Sequence, residues 1–350
     1  MTTLSLAVEL DGDGAHPAAW RHSGRPPGAV LGAAALRRAV HGAERAGFTL
    51  ATFADTPVPP SSGLDAAGRI EAGTRAAFVA TTTSRIGLAP TLHVATTEPF
   101  HLATQLAALD HASKGRAAWV VGVANDPASA ATVGAAPLAA DALRREVADV
   151  IDTARALWDS WEDEAVIRDV ATGRYLDPDR VHHVDAAGAR FTVKGPLITP
   201  RPPQGQVVVL APAELGGDVD VALAGGSVDE IAARAGQAPR VFAEVEVVLD
   251  ADRPAAARLD GLDADTGWEP TGHLRHVGSA ESLVDLVRRL SGVVDGIRFH
   301  PAVLAVDLLI LADRVLPALA DLRRPPGETL RASLGLPRPA NRFAVAGGQS

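Results

Sequence analysis

The 350-residue chain contains no cysteine, one methionine, one tyrosine, and only two lysines, Lys114 and Lys194, among its 33 basic residues. Each shortage excludes something. Without cysteine there are no disulfides, cysteine-bound zinc or iron–sulfur centres, and no thiol nucleophile. Aromatic residues make up 4% of the chain, and no apolar run approaches the roughly 18 residues a membrane span needs. The N-terminus, MTTLSLAVELDGD, is too acidic for a signal peptide. A formal net charge of −9 argues against a general nucleic-acid binder. The expectation is a soluble, cytoplasmic protein. G-x-S-x-G, Walker and H-E-x-x-H motifs are also missing, and no nucleotide fingerprint surrounds Gly32, Gly63 or Gly122.

What is present is globular: 47% hydrophobic and 21% charged residues. Apolar runs at 4–8, 48–53, 86–92 and 116–123 alternate with helical patterns at 30–46, 65–82, 98–112 and 137–160. Strands that are apolar throughout indicate a parallel sheet covered by helices. Residues 161–206 interrupt the rhythm with turn signals, and VHHV and RFTV flank 185–190 as a hairpin. Four more strand candidates follow at 207–211, 219–223, 241–249 and 296–300, with helical patterns at 228–235, 279–291 and 303–322. Eight units predict an α/β fold, a (β/α)₈ barrel with an insertion at about 161–206 and a shortened second half. Residues 1–324 form one domain in this reading. The Pro-, Gly- and Arg-rich tail, 325–350, wraps the surface.

Side-chain chemistry is sparsely signposted. Asp55 and His93 follow the second and third strand candidates, where barrel sites are built, although a turn Asp and a loop His are as natural there. His101 and His111 are too far apart on one helix for a shared metal, and His182 and His183 would point to opposite strand faces. His273 and His276 have no acidic partner nearby in sequence. No metal site and no catalytic acid or base is assigned. The WDSWED cluster at 158–163 suits core packing or a subunit contact better than ligand stacking.

Longer segments carry a resemblance. ALDHASKGRAAW at 108–119, ALWDSWEDEAVIRDVATGRYLDPDRVHHVD at 156–185, GARFTVKGPLITPRPPQGQ at 188–206 and ETLRASLGLPRPANR at 328–342 together resemble the bacterial luciferase-like flavin-dependent monooxygenases. The likeness is to the branch containing nitrilotriacetate monooxygenase, dibenzothiophene-sulfone monooxygenase and pristinamycin synthase subunits. It implies a (β/α)₈ barrel, a homodimer or homotetramer, and a two-component oxidoreductase. A separate flavin reductase would supply reduced FMN, which with O₂ would oxygenate a small organic substrate.

The resemblance places flavin contacts at Asp55, His93, Val94, Gly122 and Arg144. Several depart from the family's residues. A Ser-Thr pair falls at His93 and Val94, a polar strand end at Val120–Ala124, an Arg-Tyr pair at Leu143 and Arg144, and a phosphate loop at Leu210–Glu214. The only tyrosine, Tyr175, lies in the insertion. Two further readings therefore stand beside the monooxygenase. One is a paralogue with a degenerate flavin site, acting as an accessory or small-molecule-binding protein. The other is an oxidoreductase using a nicotinamide or deazaflavin carrier.

Overall fold

A computed structural model describes residues 3–59 and 68–344. Thirteen strands follow one another: β1 (Ser5–Glu9), β2 (Leu50–Phe53), β3 (Gly87–His93), β4 (Ala118–Gly122), β5 (Val166–Asp169), β6 (Arg174–Leu176), β7 (Asp185–Ala187), β8 (Thr192–Lys194), β9 (Val208–Pro212), β10 (Val221–Ala224), β11 (Arg240–Leu249), β12 (Leu274–Gly278) and β13 (Gly296–Pro301). Eight of them close a parallel barrel in the order β1, β2, β3, β4, β9, β10, β11, β13 and back to β1. The eight expected strands are these eight.

The barrel has two apolar layers, which explains why its strands read as apolar throughout. Outward-facing residues such as Leu6, Phe53, Leu88 and Trp119 pack under the helices. Inward-facing residues such as Leu50, Val208, Leu223 and Phe242 form a separate inner cluster. Helix Pro99–Ser113 shows how local sequence sets the boundaries. The Glu98 carboxylate accepts from the Phe100 and His101 amides, Pro99 opens the first turn, and Lys114 closes the helix in a left-handed conformation.

The tail differs from its expected place. Leu330, Leu334 and Leu336 join the inner cluster and close the end of the barrel from which the strands start. Arg331 anchors them, donating to Asp220 Oδ2 at 2.9 Å and to the Gln206 carbonyl at 2.8 Å. The reason is volume: small inward residues such as Ala7, Ala89 and Ala118 leave space that three leucines fill.

The insertion also differs in detail. It carries two hairpins, β5–β6 and β7–β8, and residues 185–187, expected as a turn, are a strand. The second half is short, as expected. Residues 213–220 join β9 to β10 without a helix, and a five-residue helix, Val228–Ala232, joins β10 to β11. Because it is short, β10 pairs only with the first part of β11, from Arg240 to Ala243. The later edge of β11, Val245–Leu249, is then free to pair with an additional strand, β12, which apolar patterning did not predict. Helix Ala255–Asp265 likewise has no counterpart among the expected helices. The helical run predicted at 303–322 contains two π-helical stretches, Leu304–Leu308 and Leu311–Val315. The helix expected at 65–82 spans Ala72–Ala80, and 60–67 lie outside the described residues. Among the described residues no helix is long and apolar enough to cross a membrane.

Candidate active site

A cavity of about 1220 Å³ opens at the C-terminal ends of β1, β2, β3, β4 and β13. Its described wall includes a neutral ledge, a charged floor, and residues of the loop after β1, of helix Ala33–Ala46 and of the segment after β13.

Three of the residues named from sequence meet at the ledge: His93 and Gly122 line the cavity, and Asp55 lies behind His93, bonded to it through its carbonyl. His93 ends β3 and sits beside Gly122, which ends β4. The Ala124 amide donates to His93 Nδ1 at 3.1 Å, so Nδ1 carries a lone pair. Nε2 therefore carries the proton and donates to the Asp55 carbonyl at 3.1 Å. Burial pushes the His93 pKa down, and Asp55 offsets this only in part. The ring is a neutral strut tying the ends of β2, β3 and β4 together, with both nitrogens occupied. The Asp55 carboxylate is also committed, accepting from the Ala72 amide at 2.6 Å and the Thr56 amide at 2.8 Å. Gly122 is required here because a Cβ would lie 2.4 Å from His93 Nδ1.

The other two residues lie elsewhere. Val94 is 2% exposed and packs in the outer core. Arg144 is exposed on helix Ala140–Asp159 and pairs with Asp141 at 3.0 Å. Neither lines the cavity.

The floor was not legible in sequence. β1 contributes Glu9, β11 contributes Glu244 and Glu246, β13 contributes Arg298 and His300, and the turn before β12 contributes His273. Arg298 grips Glu244 with two nitrogens, Nε at 2.8 Å. His300 bridges the two acids, with Nε2 3.0 Å from Glu244 and Nδ1 3.4 Å from Glu9. Burial opposes every one of these charges, and mutual neutralisation overcomes it. Burial alone would raise Glu9, but His300 and Arg298 hold it at about 2. Glu244 is likewise held far below the usual carboxylate range, against burial, by Arg298 and His300. Burial alone would lower His300, but Glu9 and Glu244 lift it to about 9, so it is a cation at neutral pH.

His273 stacks on His300 with centroids 4.5 Å apart, and its Nε2 is 3.4 Å from Glu244. Burial pushes its pKa down, leaving it neutral beside a cation. Glu246 is held by Arg275 Nε and the Thr271 hydroxyl, each at 2.6 Å. The acids that meet His273 come from β11, which the extra strand β12 brings alongside. His276 faces away, towards the Ser279 carbonyl.

Glu244, His273 and His300 have the spacing of a metal site, with ligand atoms within 4.8 Å of one another. A metal would compete with the Arg298 guanidinium for both Glu244 oxygens and with the proton on His300. The guanidinium already fills that role. The only sequence hint of this floor was charge inside otherwise apolar strands, as in VFAEVEVVL and GIRFH.

The segments that carried the resemblance lie at the opposite end of the barrel or on the insertion. Asp110 accepts from the Ala117 amide and Gln204, and Arg116 donates to the Ile86 and Ala80 carbonyls. Trp158 is fully buried with its Nε1 on the Ala103 carbonyl, and Asp159 is paired with Arg201 at 2.9 Å. These residues hold scaffold, and core packing is the role of Trp158.

An eight-stranded parallel barrel with a cavity at its C-terminal strand ends is the architecture of (β/α)₈ enzymes. The sequence profile of the luciferase-like monooxygenases matches residues 15–260. The chain belongs to that family, a family of flavin-dependent monooxygenases.

An N-acetyl-S-(2-succino)cysteine monooxygenase of Bacillus subtilis (strain 168) is 27% identical over 97% of this chain and 98% of that protein. One of the pristinamycin IIA synthase polypeptides of Streptomyces pristinaespiralis is 36% identical over 53% of this chain and 59% of that polypeptide. Among solved structures, a riboflavin lyase with modified FMN and riboflavin superposes with a TM-score of 0.80 at 20% identity, covering 95% of this chain and 96% of that one. An EDTA monooxygenase from Chelativorans sp. BNC1 gives 0.78 at 21% identity, covering 96% and 99%. Identities this low speak for the fold.

Proposed function

We propose that this chain is the oxygenase component of a two-component system, in which a separate reductase supplies reduced FMN and a small organic substrate is oxygenated by O₂. The observation that supports this most is the cavity of about 1220 Å³ at the C-terminal strand ends. Ligand sites commonly measure about 300–1,000 Å³, so there is room for a flavin ring and a substrate together.

The residues present fit the two ends of a flavin differently. The ledge suits the ring. Gly122 offers no side chain, Val120 and Val123 are apolar, and His93 is fixed by its two backbone partners. The phosphate does not fit where the resemblance puts it. The segment after β9 is a turn with no helix N-terminus, and Glu214 there adds negative charge. After β10, the first amides of helix Val228–Ala232 are closed by a capping box between Ser227 and Glu230. No residue of β9 or β10 lines the cavity.

When bound, reduced flavin supplies the electrons for oxygenation. The chain's own contribution is positional. His93 and Gly122 give a wall of fixed shape, and the inner cluster closes the barrel below. The floor keeps Glu9, Glu244, Arg298 and His300 in fixed charge states next to the cavity. A co-substrate that arrives from a reductase and leaves after turnover does not require the tight phosphate grip of a resident cofactor. Family likeness also supports a homodimer or homotetramer, which light scattering of the purified protein checks.

The missing phosphate donors favour a second reading, an accessory or small-molecule-binding paralogue without turnover. Anaerobic titration with reduced FMN separates the two. Saturable binding below about 100 μM is the outcome expected of an oxygenase. Absence of saturable binding overturns the oxygenase reading and leaves the paralogue.

A further inference from the structure

We propose that the cavity recognises small molecules bearing a carboxylate or phosphate, met at depth by Arg298 and Arg75 and drawn in by the arginine face of helix Ala33–Ala46. The proposal assigns a ligand class to the same cavity as the oxygenase reading, and its test is separable from that reading.

Charge is the first argument. The chain carries a formal net charge of −9, yet seven arginines line this cavity against four carboxylates. Most floor and wall charges are internally matched. Glu9 and Glu244 are matched by Arg298 and His300, Asp11 by Arg69 and Arg75, and Asp13 by Arg25. Arg37, Arg38 and Arg45 on helix Ala33–Ala46 are left over, and none has an acidic partner within 4.0 Å among the described residues. A low-dielectric cleft with a surplus of one sign concentrates ligands of the other.

Unmade hydrogen bonds are the second, independent argument. Arg298 is 6% exposed and Arg75 is 7% exposed. Each keeps one buried donor without an acceptor in hydrogen-bonding reach, Nη1 of Arg298 and Nε of Arg75. A third buried orphan on the same wall is Nδ1 of His273. Leaving such a group unmade is costly, and charged acceptors give the strongest compensation. Three of the seven buried side-chain orphans found among the described residues belong to residues that line this one cavity. A ligand oxygen that reached the Arg298 and Arg75 donors would satisfy them. Repulsion from Glu9, whose Oε2 lies 3.6 Å from Arg298 Nη1, is moderated because His300 and Arg298 already neutralise it.

The test is calorimetric titration and thermal shift of the purified full-length protein with succinate, its neutral analogue succinamide, and inorganic phosphate. Saturable binding of succinate or phosphate, weakening as salt rises, with none by succinamide, is the expected result. Arg298→Gln should weaken binding about tenfold or more. That side chain is buried in an ion-pair network, so the exposed double variant Arg38→Gln/Arg45→Gln supplies a second reading, with an expected loss of about threefold. Arg288→Gln, remote and paired with Asp321, should change nothing.

Equal responses to succinate and succinamide, or no response to either anion, overturn the proposal. The source of the anion is read from flavins. Tighter binding of reduced FMN than of reduced riboflavin, abolished by Arg298→Gln, assigns the site to a phosphate. Equal binding of the two flavins assigns it to a substrate carboxylate. Anion binding without any reduced-flavin binding keeps this site and removes the oxygenase reading. Flavin binding without anion binding does the reverse.

Discussion

Gly122 and His93 end adjacent strands so closely that a methyl group on the first would sit 2.4 Å from Nδ1 of the second. Gly122→Ala should therefore displace the imidazole and break its bonds to Ala124 and Asp55. A destabilisation of about 1–3 kcal/mol is expected, from overpacking and lost hydrogen bonds. Urea denaturation reads that cost. A parallel anaerobic titration should show weaker binding of reduced FMN, because the wall changes shape.

The floor makes stability depend on pH in both directions. His300 is raised from 6.5 to about 9, so its contribution is complete below about 6.5 and is lost as pH rises through about 9. Glu9 is lowered from 4.5 to about 2, so its contribution is complete above about 4.5 and is lost as pH falls through about 2. The His300 limb is worth on the order of 3 kcal/mol. It reports the same interaction as part of the Glu9 limb, so the two are not added. Urea midpoints measured between pH 6 and 10 should fall for the wild type. The midpoint of His300→Gln should be lower at pH 6 and much flatter above it. Parallel curves would show that His300 is not the cation assigned here.

The tail is structural. Leu334 is fully buried in the inner cluster, so Leu334→Ala should cost about 2–5 kcal/mol. Deleting residues from 325 onward should leave a chain that does not fold cooperatively, seen as loss of a sharp melting transition. A deletion that melts as sharply as the full chain would show that the tail only covers the surface.

Val94 and Arg144 test where flavin contacts lie. Val94→Thr places a hydroxyl in the outer core and should destabilise by about 1–3 kcal/mol without tightening reduced FMN. Arg144→Ala removes an exposed pair and should change stability by no more than about 0.5 kcal/mol, again without effect on flavin affinity. Tighter flavin binding by Val94→Thr would show that the strand-end position named from the resemblance does face the ligand.

Periodicity and turn residues in the sequence determined the eight barrel strands, the insertion and the short second half, because each depends on local apolar patterning. The resemblance also rested on contiguous segments, and contiguous segments such as LDHASKGR and LWDSWED hold scaffold: Asp110, Arg116, Trp158 and Asp159 are buried and satisfied far from the cavity. Asp55, His93 and Gly122 were legible because they sit at strand ends in chain order. The floor was not. Glu9, Glu244, Arg298, His300 and His273 come from β1, β11, β13 and the turn before β12, up to 291 residues apart. Only barrel closure brings β1 beside β13 and β13 beside β11, and only the shortness of β10 leaves an edge for β12. With almost no lysine, the sequence left arginine and histidine as the cations of the site. Which of them meet was decided by strand order, because their charges are tolerable in the barrel only as neighbours.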